Sequence, residues 1–180
     1  MVPGLCCDDD YDLVGCDRPG KEMEIVIVGI GQSLRGDDAA GLAVVQLWKD
    51  SFPLSATDPH VRIEFASCSG IDLLYMLRGA QAAILVDAVQ SGVKPGTLHV
   101  IDEQDLLSFD QTIGSSHGLG VAETLAIGRI LDSQDFPARI VLIGIEAEDL
   151  TYGEGLSRAV QAALPSAARL IESHLRAVRL

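Results

Sequence analysis

The sequence predicts an α/β protein with three layers, α/β/α, in which a mostly parallel, twisted five-stranded sheet lies between helices on both faces. Three observations lead there. From Glu24 onward, short apolar runs alternate with segments of helical periodicity, the pattern of strands joined by crossover helices. The runs are apolar throughout rather than alternating, which suits strands covered on both sides. The chain also has 180 residues, 48% of them hydrophobic, enough for one core of ordinary size.

The elements follow in order. Residues 1 to 22 come first, with Asp8, Asp9, Asp10 and Asp12 close together, scattered glycine and proline, and no apolar period. They read as a disordered acidic tail, leaving 23–180 as a single α/β domain. Strands are expected at Glu24 to Gly29, Val61 to Ala66, Ala82 to Ala88, Thr97 to Ile101 and Arg139 to Ile145. Between them "DDAAGLAVVQLWK", "GIDLLYMLRG" and "GLGVAETLAIGRILD" carry apolar residues at helical spacing. The closing "LSRAVQAALPSAARLIESHLRAV" reads as a longer helix, interrupted or kinked near Pro165.

Charge and composition exclude several classes of function. Thirteen basic against twenty-six acidic side chains leave a formal charge of −13, a surface that disfavours nucleic acid and anionic membrane. No apolar run approaches the roughly 18 to 20 residues that cross a bilayer, and the first residues lack the pattern of a secretory signal. The expectation is a cytoplasmic protein. Cys6, Cys7, Cys16 and Cys68 fit that compartment as free thiols, with Cys68 a small buried residue rather than a nucleophile. No helix carries a sustained heptad seam, so a monomer is expected.

The chemistry gathers at strand ends. In open α/β sheets the functional crevice lies beyond the carboxyl ends of the strands. Asp37 and Asp38 follow the first strand, Asp87 in "AAILVDAV" closes the third, and His117 in "GSSHGLG" stands at the entrance to the next helix. Two carboxylates and an imidazole make a facial set for a divalent transition metal, with positions left open for a substrate. Plainer explanations exist for each. Asp37 reads as the cap of the first helix, Asp38 gains from the helix dipole, Asp87 suits an ordinary strand end, and His117 suits a surface loop.

The glycines of "GIGQSLRG" do not announce a nucleotide. A dinucleotide fingerprint would need glycine where Leu34 stands, no Walker lysine follows, and two aspartates would repel a phosphate at this helix start. Tight turning and close backbone approach explain them better.

These segments together resemble the nickel-iron hydrogenase maturation endopeptidases, a family grouped with aspartic peptidases. The resemblance rests on "GIGQSLRGDDAAG", "ILVDAV" and "SSHGLGVAETL", with "IGIEAEDLTYGEGLS" and "AVQAALPSAARLI" matching the family's C-terminal portion. Gln32 stands where the family usually has asparagine, and "ASCSG" stands where many members carry a glycine-threonine turn after an acid. The resemblance implies an endopeptidase that removes the C-terminal extension of a hydrogenase large-subunit precursor after nickel insertion. It implies Asp38, Asp87 and His117 as metal-contacting residues and nickel contributed by the nickel-loaded precursor; Asp38 and Asp87 are also the catalytic candidates, either beside an activated water or as a general acid and base. Two other readings of the same site are a non-enzymatic nickel-binding or chaperone module and a small-molecule metallohydrolase.

Overall fold

The structure is a computed structural model that describes residues 24–67, 70–106, 120–131 and 134–179. Its five strands are β1 (Ile25–Ile30), β2 (Val61–Ala66), β3 (Ala82–Val89), β4 (Leu98–Asp102) and β5 (Arg139–Glu146). They form one sheet in the order β2-β1-β3-β5-β4, parallel except for β4, which pairs antiparallel with β5 at the edge. Each strand falls within a residue or so of its expected place. The reason is visible in the burial: every residue of β1 is buried, so its sequence could be apolar throughout.

Strand alternation sorts the core into two halves. Ile25, Ile27, Ile84, Val86, Ile143 and Ile145 face helices α1 (Ala40–Ser51) and α5 (Arg158–Val178). On the other face, Val26, Val28, Ala83, Leu85 and Leu142 meet α3 (Ile71–Leu77) and α4 (Val121–Leu131). A single turn, α2 (Pro53–Ala56), opens on Pro53 just after α1. Trp48 of α1 donates its indole N–H to Glu172 of α5 at 3.2 Å, which joins the two helices through a buried polar contact.

The last helix corrects the interruption expected near Pro165. It runs unbroken from Arg158 to Val178 with Pro165 inside it. Proline removes one backbone hydrogen bond and costs roughly 3 kcal/mol in a helix interior. Here Pro165 and Gln161, the residue one turn before it, lie on the exposed side, where water can take up the released carbonyl. On the opposite side Val160, Ala163, Ala167, Ala168, Ile171 and Leu175 are all buried against the sheet, and their burial outweighs the missing bond. Among the described residues no helix is long and apolar enough to cross a membrane.

The topology marks where a ligand crevice should open. β1 and β3 are neighbours, yet the chain leaves β1 toward β2 on one side and leaves β3 toward β4 on the other. Such divergence of connections produces the crevice of open α/β sheets. α4 feeds β5, which runs parallel to β3, so α4 must begin at the carboxyl edge and descend. Arg129, near its lower end, pairs with Glu103 just after antiparallel β4, as that direction requires.

Candidate active site

The turn after β1 is shaped by close backbone approach. Gly31 has φ of 140°, and a side chain there would place its Cβ 1.8 Å from the carbonyl oxygen of Asp38. Gly41, in the first turn of α1, would set a Cβ 2.3 Å from the carbonyl oxygens of both Ile30 and Val86. The glycines thus press the start of α1 onto the ends of β1 and β3. A short 3-10 turn, Gly36–Ala39, carries the two aspartates across that junction.

The adjacent aspartates go to different places. Asp38 is half-exposed, and its Oδ2 accepts a hydrogen bond from the backbone N–H of Gln32 at 2.8 Å. Asp37 is 1% exposed and turns inward. Its Oδ2 accepts from the N–H groups of Glu148 and Asp149 at 2.8 and 3.2 Å, and its Oδ1 from the N–H of Ser157 at 2.6 Å. The helix-capping role expected of Asp37 is therefore corrected: the start of this turn has no side-chain cap. Its carboxylate instead satisfies three backbone N–H donors of the loop between β5 and α5.

Asp87 stands at the carboxyl end of β3. Leu85 before it faces α3 and α4, so alternation sends Asp87 to that same face. Its Oδ1 accepts from the N–H of Ala88 at 2.8 Å. The Asp87 carboxyl is raised to about 7 from the usual 3.8, first by removal from water, then by the negative charge of Asp38, with the Ala88 hydrogen bond working in the opposite direction. A carboxylate from the turn after β1 and one from the end of β3 thus feel each other at the crevice. His117 lies outside the described residues, as do Cys68, Cys6, Cys7, Cys16 and the acidic segment 1–22. Among the described residues no group of three His, Cys, Asp or Glu side chains is placed to hold a metal ion.

Three features escaped the sequence reading. Glu146, 1% exposed at the end of β5, accepts from the N–H and hydroxyl of Ser91 and from the N–H of Gly92, each at 2.8 Å, and its Oε2 lies 3.1 Å from Nε2 of His99. It ties the connection after β3 to the sheet. Glu123, in the first turn of α4, keeps Oε2 buried without a partner among the described residues. Arg35, just before the aspartates, stacks on Tyr152 from the distant loop. The quoted motifs contain all three residues, but nothing local distinguishes them from solvated side chains.

Known proteins resemble this chain in sequence and in fold. Residues 58–174 match the family described as hydrogenase maturation protease. The hydrogenase 2 maturation protease of Escherichia coli is 27% identical over 155 residues, covering 86% of this chain and 92% of that protein. The hydrogenase expression/formation protein HoxM of Azotobacter vinelandii is 30% identical over 148 residues, covering 81% of this chain and 69% of that one. Among solved structures, the hydrogenase maturating endopeptidase HybD from E. coli superposes with a TM-score of 0.74 at 25% identity, covering 87% of this chain and 94% of that chain. On sequence and on fold together, this chain belongs to the hydrogenase maturation protease family.

Proposed function

We propose that the chain is an endopeptidase that removes the C-terminal extension of a nickel-iron hydrogenase large-subunit precursor once nickel has been inserted. The observation that carries this reading is the placement of Asp38, in the turn after β1, and Asp87, at the end of β3, at one crevice in a chain of this family. Family membership supports the hydrolysis of a hydrogenase precursor.

In this reading Asp38, Asp87 and His117 complete the coordination of the substrate's nickel. The donor chemistry fits. Two carboxylates brought together away from water accept a divalent cation readily, because the cation offsets the desolvation and, after it, the mutual repulsion that raise the Asp87 carboxyl. A metal so held can polarise the scissile carbonyl or lower the pKa of a bound water. The chain's own part is to hold the precursor's cleavage site beside these carboxylates.

A second mechanism has a specific observation in its favour. With its carboxyl raised to about 7, Asp87 can hold a proton near neutrality, as one half of an aspartic-type acid and base pair must. One experiment tests the function and separates the mechanisms. The protein is mixed with nickel-loaded and nickel-free precursor and the products are weighed by mass spectrometry. A C-terminal fragment released from the loaded precursor alone supports metal-assisted recognition, fragments from both support the acid and base pair, and no fragment from either rejects proteolysis.

A further inference from the structure

Arg35 is a cation left unmatched beside a carboxylate-rich site. Arg62, Arg129, Arg176 and Arg179 each have a carboxylate partner, respectively Glu24, Glu103, Glu172 and Asp58. Arg35 has none among the described residues, in a chain with twice as many acids as bases. Its Nε is moreover buried without a hydrogen-bond acceptor. A buried, unsatisfied donor on a charged group is costly, so its persistence calls for an explanation.

Three carboxylates nearby in sequence or in the facing loop accept hydrogen bonds from other groups. Asp37 is taken up by the three N–H groups of the β5–α5 loop. Asp149 accepts from the N–H and hydroxyl of Thr151 at 2.8 and 2.9 Å. Asp38 accepts from the N–H of Gln32. The guanidinium is meanwhile held in place. Its carbon lies 5.7 Å from the ring centroid of Tyr152, which is 85% exposed. Below it the backbone is tied to the same loop, Gly36 N–H to the carbonyl of Gly153 at 2.9 Å and Gly153 N–H to the carbonyl of Leu34 at 3.1 Å. The Arg35 carbonyl in turn accepts from the N–H of Asp38 at 3.0 Å, so the cation sits one tight turn from that carboxylate.

We infer that Arg35, braced on Tyr152 at the lip of the site, is a docking point for a carboxylate of the polypeptide being processed. A planar guanidinium already fixed by a ring loses little freedom on binding and presents its remaining donors as a fork suited to two carboxylate oxygens. The overall charge of the chain repels free anions at long range, so the contact selects a carboxylate delivered on a polypeptide anchored elsewhere in the site. That carboxylate is either an Asp or Glu side chain of the extension or the extension's own C-terminus. The inference rests on the proteolytic reading above for the identity of the polypeptide.

The test uses the full chain, as wild type, Arg35→Gln, Arg35→Lys and Arg35→Glu. Each is titrated by fluorescence anisotropy against labelled peptides copying the end of the precursor. The peptides are made in native form, with Asp and Glu replaced by Asn and Gln, with those acids replaced by Lys, and with an amidated C-terminus. Cleavage of full-length precursor is followed in parallel. Arg35→Gln should weaken the native peptide about tenfold or more while leaving the matching neutralised peptide unchanged, with Arg35→Lys in between. Which neutralised peptide loses affinity for wild type identifies the carboxylate. If it is a side chain, Arg35→Glu should prefer the Lys peptide. The inference is overturned if wild type binds all forms alike or none, or if Arg35→Gln weakens every peptide equally, as a purely structural role would require. If Arg35-dependent binding persists but wild type releases no fragment, the proteolytic reading falls and the carboxylate contact stands.

Discussion

Asp37 and Ser157 are 120 positions apart, and Oδ1 of the first accepts the N–H of the second at 2.6 Å. Ser157 in turn caps α5, its hydroxyl accepting from the N–H of Val160 at 3.3 Å. One buried carboxylate therefore joins the turn that carries Asp38 to the loop that ends at the last helix.

Asp37→Asn should be destabilising. Asn offers one acceptor oxygen where Asp37 meets three N–H donors, and its NH₂ would face one of them. The expected loss is about 1–3 kcal/mol in urea unfolding, with processing reduced as the turn loosens. A cap at an exposed helix start would instead tolerate Asn with almost no change, so an unaltered unfolding midpoint would refute the buried-knot role.

Asp38→Asn, Asp87→Asn and His117→Ala should each abolish release of the C-terminal fragment while leaving the far-ultraviolet circular dichroism of the wild type. The carboxamides keep shape and lose the charge that a divalent ion or an acid and base pair requires. Normal processing by Asp87→Asn, read by mass spectrometry, would remove this residue from the mechanism.

The Asp87 carboxyl also makes stability depend on pH. Its folded value of about 7 lies above the ordinary 3.8, so between these values the folded chain keeps a proton that the unfolded chain gives up. Stability from this group is complete below about pH 4, falls as pH rises through 7, and levels off above it. The shift corresponds to about 2–4 kcal/mol. Asp87→Asn should therefore match wild type near pH 4 and unfold at higher denaturant than wild type at pH 8. Identical pH profiles for the two proteins would show that Asp87 is solvated.

Equilibrium dialysis of the isolated chain should find only weak nickel binding, because the precursor is expected to supply the remaining ligands. What binding there is should strengthen as pH rises through 7, when Asp87 ionises, and should vanish in Asp87→Asn. Tight binding that survives this substitution would favour a nickel-carrying module over a peptidase.

Gly31→Ala should cost both stability and processing. Its Cβ would fall 1.8 Å from the carbonyl oxygen of Asp38, and φ of 140° is itself unfavourable for alanine. The turn must move to relieve the clash, carrying Asp38 with it. A loss above 2 kcal/mol is about what a strained backbone position gives. A variant with normal unfolding and normal cleavage would show that the turn is freer than this packing implies.

The amino-acid sequence by itself determined the layers, the five strands and the edge of the sheet at which Asp38 and Asp87 stand. Strands covered on both faces must be apolar throughout, and residues such as Ile25 to Val28 or Ala82 to Val86 leave a mark that needs no neighbour to be read. Pro165 does not interrupt α5, because the local rule about helix interiors is outweighed by burial along the far side of that helix. Asp37 and Asp38 show the limit most clearly. They are the same residue in adjacent positions, and what separates them is a loop more than a hundred residues later whose N–H groups claim one and leave the other facing Asp87. Arg35 is likewise defined by Tyr152, not by its own surroundings in sequence. Tertiary structure alone decided these roles, because hydrogen-bond satisfaction and electrostatic coupling depend on which distant groups arrive at the same few ångströms, and periodicity carries no record of that.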